Sequence, residues 1–284
     1  MKIVPLGADS LGTRSFSFYV ETRDIKIVID PSCALAPRRY SLPPFPDEIK
    51  NLNRTYEKIR EHTKRSDAVI ITHYHNDHYP FFDAEIFKGK FLLLKNYSKD
   101  MNHMQMLRGK SFCEELKNLK IRFDFCDGKK YRFGETLLYF SDGLWHGKLK
   151  RQGKCVAVIL KEKDESAFFS SDTQGIWEDK LRKFIEGKNI SYFFIDGPSL
   201  YQSKKNDINE FLNHVSEILK NLKDSKIIID HHFIRDLNYK IYIKRLKDVF
   251  GERIFTCAEF CGVPDNPLEA LRRNYYERKN NTLN

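Results

Sequence analysis

The chain has 284 residues, of which 41% are hydrophobic and 13% aromatic, and it carries a formal net charge of +10. This supply of apolar side chains excludes wholesale disorder, and no apolar run is long enough to span a bilayer. The six cysteines are scattered without CxxC pairs, and the first residues lack the apolar segment of a secretory signal, so we expect a cytoplasmic protein. The basic excess favours anionic partners without choosing among them.

Short apolar runs alternate with longer amphipathic runs along the chain. The short runs predict strands at residues 2–6, 15–20, 25–30, 68–72, 90–94, 121–125, 136–140, 155–161, 167–171, 192–196, 226–230 and 253–256. The longer runs predict helices at residues 46–64, 98–119, 177–186, 207–222 and 237–250. No linker or repeat divides the chain, so we predict one domain over residues 1–284. Its expected α/β architecture is four-layered, with two sheets packed face to face and helices outside.

The segment of residues 31–46, PSCALAPRRYSLPPFP, breaks this alternation. It contains five prolines and almost no periodicity. Proline is excluded from sheet interiors, so a long ordered loop is predicted here. Such a loop is either a surface connection or a cover over a site.

The stretch VIITHYHNDH, residues 69–78, is the most informative in the sequence. An apolar strand leads directly into four potential metal ligands within six residues, namely His73, His75, Asp77 and His78. A turn at a strand end can bring them into one small volume, and converging imidazoles are typical of zinc and other transition-metal sites. The alternative, a histidine-rich surface turn, accounts for a lone histidine better than for this cluster.

Further potential ligands follow other predicted strands. His146, Asp172 and the adjacent pair His231 and His232 each come shortly after an apolar run. Each alone is equally well explained as a capping carboxylate or a hydrogen-bonded histidine. Their joint recurrence at strand ends favours metal binding.

The pattern His73-x-His75-x-Asp77-His78, followed by His146, Asp172 and a late histidine, resembles the metallo-β-lactamase superfamily. The order and spacing of these residues extend over nearly the whole chain. The segments MKIVPLGADSLGTRS, PRRYSLPP, IDGPSLY and DHHFIRD resemble more closely an uncharacterised archaeal family of predicted metal-dependent hydrolases. That second resemblance implies no particular substrate.

The superfamily resemblance implies an αββα sandwich with a binuclear metal site at one edge of the two sheets. It implies a first ion held by His73, His75 and His146, a second ion held by Asp77, His78 and the late histidine, and a bridging Asp172. The two divalent ions are expected to be zinc, with manganese or iron as alternatives.

The late histidine is one of two adjacent residues. The sequence Ile-Asp-His ending at His231 parallels Ile-Thr-His ending at His73, which favours His231 as the ligand. An alignment with the His-Phe element of RNA-processing members favours His232 instead. Adjacent side chains on an extended segment point to opposite faces, so we expect one ligand only. The other histidine, by this argument His232, packs nearby or acts as a general acid.

Two such ions lower the pKa of a bridging water to roughly 7 and stabilise the oxyanion that forms when it attacks. Asp77 is expected to orient that hydroxide. Asp30 and Asp196 lie near the same sheet edge, where they either hold ligating imidazoles in one tautomer or cap turns. Candidate substrate contacts are Arg38, Arg39, Lys148, Lys150, Arg151 and Tyr201.

The sequence therefore predicts a metal-dependent hydrolase that attacks an ester-type bond of an anionic substrate. A phosphodiester is favoured slightly over a lactone, an ester or a thioester. A mono-iron or di-iron redox enzyme is the first alternative, and a non-catalytic binding protein is the second. We expect a small-molecule or phosphodiester partner and no membrane, while nucleic acid lacks a recognisable binding module.

Overall fold

A computed structural model describes residues 1–99, 101–148 and 150–281. Its first sheet contains, in chain order, β1 (Lys2–Ala8), β2 (Phe16–Glu21), β3 (Lys26–Ile29), β4 (Ala68–Ile71), β5 (Phe91–Leu94) and β6 (Arg122–Phe125). Strands β1 to β3 pair antiparallel, and β3 to β6 pair parallel. The sequences AVII of β4 and FLLL of β5 are apolar throughout, as is typical of parallel strands covered on both faces.

The second half of the chain forms a larger sheet and a short ribbon. Its strands are β7 (Lys130–Phe133), β8 (Thr136–Phe140), β9 (Leu144–Trp145), β10 (Lys154–Cys155), β11 (Val158–Glu162), β12 (Glu165–Phe169), β13 (Tyr192–Asp196), β14 (Lys226–Asp230) and β15 (Ile254–Phe255). The sheet has the order β15-β14-β13-β12-β11-β8-β7, and β9 pairs with β10 in the ribbon. Strands β7, β8, β11 and β12 pair antiparallel, whereas β12 to β15 pair parallel. The parallel strands of each sheet therefore end together at one edge.

Five helices lie between strands along the chain, and two follow the last strand. They are α1 (Pro46–Arg65), α2 (His103–Asn118), α3 (Asp179–Ile185), α4 (Lys205–Asn221), α5 (Tyr239–Phe250), α6 (Cys257–Phe260) and α7 (Leu268–Asn281). Helix α4 buries Ile208, Phe211, Val215 and Leu219, which belong to the apolar stripe that identified it in the sequence. Among the described residues, no helix is both long enough and apolar enough to cross a membrane.

The two sheets pack against each other through aromatic side chains. The ring of Phe18 on β2 lies 4.9 Å from Phe169 on β12 and 4.8 Å from Phe194 on β13. Truncation of such a buried ring typically costs about 3–5 kcal/mol, so these contacts hold the two sheets firmly together. Helices α4 and α5 cover the outer face of the second sheet, and α1 and α2 cover that of the first. The predicted four-layer α/β architecture is confirmed.

Two predicted strands have the wrong bounds because the chain turns toward the other sheet. The strand predicted at 155–161 is two strands, since the N–H of Val156 donates at 3.1 Å to the carbonyl of Thr72, the residue after β4 of the first sheet. The strand predicted at 167–171 ends before Ser171, whose φ of 54° is incompatible with extended backbone.

Three predicted helices start later than expected, and the one predicted at 237–250 begins at Tyr239. In the other two, side chains before the helix are already hydrogen-bonded. The helix predicted at 98–119 begins at His103, after Asn102 caps it by accepting from the N–H of Gln105 at 2.9 Å. The helix predicted at 177–186 begins after Trp177, whose indole N–H donates to a loop carbonyl at 2.9 Å. Strands β7 and β9 and helices α6 and α7 were not predicted, because they are short or mostly polar.

The proline-rich loop of residues 31–46 is fixed to the body of the protein by a buried arginine. Arg272 on α7 is 0% exposed and donates to the carbonyls of Ala36 at 3.1 Å and Leu42 at 3.0 Å. Its guanidinium also forms a bidentate pair with Glu48 at 2.7 and 2.6 Å. The loop is therefore an ordered part of the fold, held by two helices.

Candidate metal centre

The strands turn sharply where they reach the shared edge. Asp30 after β3, Ser171 after β12 and His231 after β14 have φ angles of 48°, 54° and 61°. Left-handed backbone at residues other than glycine is strained by about 1–3 kcal/mol and tends to occur at functional sites. These turns bring residues that follow strands of both sheets close to His73 and Asp172.

A first group of donors comprises His73, His75, His146 and Asp172, with ligand atoms within 4.8 Å of one another. Nε2 of His73 is 3.1 Å from Nδ1 of His75. Oδ2 of Asp172 is 2.9 Å from Nε2 of His146 and 3.4 Å from Nε2 of His73. All four were predicted as ligands, and the structure brings them together.

A second group comprises Asp77, His78 and His231. Nε2 of His78 is 3.3 Å from Nε2 of His231. Asp77 lies slightly farther out, with carboxylate oxygens 3.9 Å from His78 and 3.8 Å from His231. These residues come from the first and second sheets, so the group exists only when both sheets are packed together.

The carboxylate of Asp172 joins the two groups. Its Oδ2 faces the first group, while its Oδ1 lies 3.0 Å from Nε2 of His78 and 3.2 Å from Nε2 of His231. Asp172 is 1% exposed, and within the described ranges its Oδ1 accepts no hydrogen bond. A buried carboxylate oxygen without a donor is costly unless a cation balances it. Imidazoles and carboxylates are ligands for zinc and similar ions, so these residues fit a metal centre.

Two further carboxylates fix the rings of the second group. Oδ2 of Asp30 is 2.8 Å from Nδ1 of His78, and the same carboxylate accepts the N–H and hydroxyl of Thr72. Oδ2 of Asp9 is 2.9 Å from Nδ1 of His231. Each contact leaves Nε2 of the ring facing Asp172, which is how carboxylates orient metal-binding histidines. Asp30 was predicted to lie near this edge, whereas Asp9 was missed.

Arg235 adds a buried positive charge behind the second group, and it too was missed. Its Nε donates to Asp9 at 3.0 Å, and a terminal nitrogen donates to Asp77 at 3.3 Å. Asp9 and Arg235 are far apart in sequence, so no local pattern connects them. The only indication in the sequence was that Asp9 and Arg235 lie in MKIVPLGADSLGTRS and DHHFIRD, two of the segments that resemble the archaeal family.

The charges shift the pKa values of the two groups in opposite directions. Burial and the neighbouring ring of His78 lower the pKa of His73 to about 4. Burial also disfavours the protonated form of His231. The carboxylates of Asp172 and Asp9 outweigh this effect and raise the pKa of His231 to about 10. For Asp77, burial is outweighed by His78, His231 and Arg235, which hold its pKa well below the usual range.

His231 and His232 diverge immediately after β14. The segment is a turn of 3₁₀ helix, not the extended chain assumed in the sequence argument, and the ring planes are 79° apart. Nε2 of His231 faces Asp172, whereas Nδ1 of His232 is 2.9 Å from Oδ2 of Asp196. His232 also has a possible ligand atom within 4.8 Å of Asp172. The assignment of His231 as the ligand remains a prediction.

Two glutamines that were not predicted contact rings of the first group. The amide nitrogen of Gln105 is 3.2 Å from Nε2 of His75, and its amide oxygen accepts the N–H of Tyr74 at 3.1 Å. The amide nitrogen of Gln174 is 3.3 Å from Nδ1 of His146. Both come from polar positions in or beside loops, where the sequence carries no pattern that marks them.

The predicted substrate contacts fall into two sets. Lys148, Lys150 and Arg151 line pockets next to His146 or its neighbour Gly147. Arg39 instead is buried, with its guanidinium 3.5 Å from the ring centre of Tyr201, and donates to the carbonyl of Arg235 at 2.8 Å. Arg38 donates to the carbonyl of Ser41 in the proline-rich loop at 3.1 Å. The guanidinium of Arg39 therefore contacts an aromatic ring and the backbone of the segment after β14.

The fold and this cluster define the class of protein. Residues 12–80 match the family model of the metallo-beta-lactamase superfamily. The crystal structure of a possible metal-dependent hydrolase from Veillonella parvula is similar, with a TM-score of 0.55 over 89% of this chain and 94% of that chain. At 15% sequence identity, this likeness shows the fold alone. The chain has the metallo-β-lactamase fold, as the resemblance implied.

Relatives in the archaea define the family more closely. A UPF0282 protein from Sulfurisphaera tokodaii is 36% identical, over 99% of this chain and 94% of that protein. A UPF0282 protein from Methanocaldococcus jannaschii is 36% identical, over 98% of both chains. The chain belongs to the UPF0282 family, which confirms the second resemblance.

Proposed function

We propose that this protein is a metal-dependent hydrolase that cleaves an ester-type bond in an anionic substrate. The observation that carries the proposal is the buried carboxylate of Asp172, whose two oxygens face separate groups of imidazoles. Two divalent ions in these groups, zinc by preference, would supply an activated water and a Lewis acid.

Two side chains have distinct chemical roles in this proposal. The guanidinium of Arg235 donates to the carboxylate of Asp77 at 3.3 Å and favours its ionised form, so Asp77 accepts a hydrogen bond from the attacking water and orients it. His232 is 8% exposed, and its Nδ1 is fixed by Asp196, so its other nitrogen can donate a proton to the leaving oxygen. Burial raises the pKa of Asp196 and lowers that of His232, which favours a protonated carboxyl group beside a neutral imidazole. As the other nitrogen of His232 gives its proton to the leaving oxygen, Nδ1 takes up the proton of Asp196, so the ring stays neutral and the carboxyl group becomes a carboxylate.

A phosphodiester is slightly favoured among the ester-type substrates. The chain carries a net charge of +10, and Lys148 and Arg151 line a pocket that also includes His146. Cationic side chains near a reaction centre raise the local concentration of anions and bind phosphate oxygens.

The test combines metal analysis with a panel of substrates. Protein replenished with zinc, manganese or iron is expected to retain about two ions per chain, because the ligands exceed what one tetrahedral ion uses. It should hydrolyse bis-p-nitrophenyl phosphate in preference to a lactone, a thioester or a structured RNA. The Asp77→Ala variant should lose turnover and keep the circular dichroism of the parent. A reproducible metal content near zero contradicts the proposal, and oxygen consumption with a persulfide, without hydrolysis, supports the redox alternative instead.

A further inference from the structure

A pocket of about 140 Å³ lies beside the candidate metal centre. His146 forms part of its wall, and the polar residues that line it include Lys148, Arg151, Ser199, Gln202 and Lys204. A complete small ligand generally needs roughly 300–1,000 Å³. This pocket therefore has room for one group of a substrate, next to the site where the substrate would react.

The cationic side chains of this pocket differ in their existing contacts. Nζ of Lys148 is 2.7 Å from Asp207 and 2.7 Å from Glu210, so two carboxylates already balance its charge. Arg151 and Lys204 are exposed, and neither forms an ion pair within the part of the chain that the structure describes. Their charges are available to an anionic ligand.

A buried hydroxyl provides a second and independent observation. Ser199 is 3% exposed, and its Oγ has no hydrogen-bond partner among residues 1–99, 101–148 and 150–281. A buried hydroxyl without a partner costs about 1–3 kcal/mol, so a ligand or a water is expected to contact it. Asp207 in the first turn of α4 also lines the pocket, where its carboxylate pairs with Lys148 and accepts the N–H of Lys204 at 3.3 Å.

We propose that this pocket binds a phosphoryl group of the substrate that is separate from the bond being cleaved. A phosphate dianion offers several acceptor oxygens, which match an arginine, a lysine and a hydroxyl donor. Because His146 belongs both to the pocket wall and to the first group of donors, a phosphoryl group bound here holds an adjoining ester bond at the metal centre. The inference rests on the proposed hydrolase function and narrows its substrates to phosphorylated small molecules.

The test measures binding of inorganic phosphate to zinc-replenished protein by isothermal titration calorimetry, after removal of excess zinc. The double variant Arg151→Gln with Lys204→Gln should bind phosphate at least about tenfold more weakly, and Ser199→Ala about tenfold more weakly. The double variant Lys220→Gln with Lys223→Gln is the matched control, because it also removes two positive charges and both lysines are exposed at or just beyond the other end of the same helix, with Lys220 roughly 24 Å from Lys204. An equal loss in the control overturns the proposal, since net charge alone would then explain the effect.

Two further measurements separate this proposal from the hydrolase proposal. If the double variant binds phosphate normally but Asp172→Asn does not, phosphate binds only to the metal ions, which overturns the pocket assignment and leaves the hydrolase proposal standing. If the protein retains no metal but phosphate binding still depends on Arg151 and Lys204, the pocket is supported and the hydrolase proposal fails. Acetate that binds as tightly, with the same dependence, overturns the preference for a phosphoryl group.

Discussion

The two groups of donors at the candidate metal centre are supported by different kinds of side chain. The rings of the first group contact neutral groups: the hydroxyls of Thr72 and Ser171 at His73, the amide of Gln105 at His75 and the amide of Gln174 at His146. The rings of the second group contact carboxylates: Asp30 at His78 and Asp9 at His231. Arg235 then contacts Asp9 and Asp77 from behind.

The candidate metal centre therefore contains two electrostatic environments. A carboxylate behind an imidazole makes that ring a more basic donor, whereas a neutral amide or hydroxyl mainly fixes its orientation. The strength of the histidine ligands in the second group therefore depends on the buried charged side chains behind them. The ligands of the first group depend mainly on the placement of their rings. Substitutions can test this distinction, and Asp172 is the residue on which both groups depend.

Asp172→Asn should have the largest effect, because it changes the carboxylate shared by both groups. We expect metal content to fall from about two ions to less than about one per chain. Loss of several kcal/mol of transition-state stabilisation should slow hydrolysis about 1,000-fold or more. Elemental analysis and initial rates measure the two effects, with circular dichroism as the control for folding. An unchanged metal content would show that the two groups do not share Asp172.

The sequence predicted the central strands well, and the physical reason is their burial. Strands β13 (YFFID) and β14 (KIIID) have the predicted bounds, because a parallel strand covered on both faces is a nearly continuous apolar run. Helix α7 gave no such signal, since much of its attachment comes from polar contacts such as those of Arg272 with the proline-rich loop. Contacts between polar side chains and backbone carbonyls leave no periodicity in the sequence.

The candidate ligands were predictable because strand ends in parallel sheets meet at one edge. His73 and Asp172 follow β4 and β12, which each pair parallel with a neighbouring strand, whereas His146 follows β9 of the antiparallel ribbon; the structure brings all three together. The supporting residues were harder to predict, because their partners are distant in sequence: Arg235 and Asp9 are 226 positions apart. Arg39 stays a prediction as a substrate contact, and the sequence did not indicate that its guanidinium is buried against Tyr201.

His231→Ala and His232→Ala should both slow hydrolysis, but only His231→Ala should lower the metal content. His231 faces Asp172, so its loss should remove about one ion per chain from the second group. His232 is held by Asp196, so its loss should leave both ions in place and slow substrates with poor leaving groups about 100-fold to 10,000-fold. Metal analysis and a series of aryl esters with different leaving groups measure both effects. Lowered metal content in the His232 variant alone would reverse the assignment.

The smallest effects are expected for the residues that contact the histidine rings from behind, and these effects test the difference between charged and neutral support directly. Asp9→Asn keeps a hydrogen-bond acceptor at Nδ1 of His231 but removes the charge, so metal affinity at the second group should fall about 10-fold to 100-fold. Gln105→Ala removes a neutral contact from His75, so affinity at the first group should fall less than about tenfold. Competition with a chelator measures both affinities, and Asn118→Ala at the far end of α2 is the control for Gln105→Ala. Equal losses in the Asp9 and Gln105 variants would contradict the distinction, because charge would then contribute no more to ligand strength than placement does.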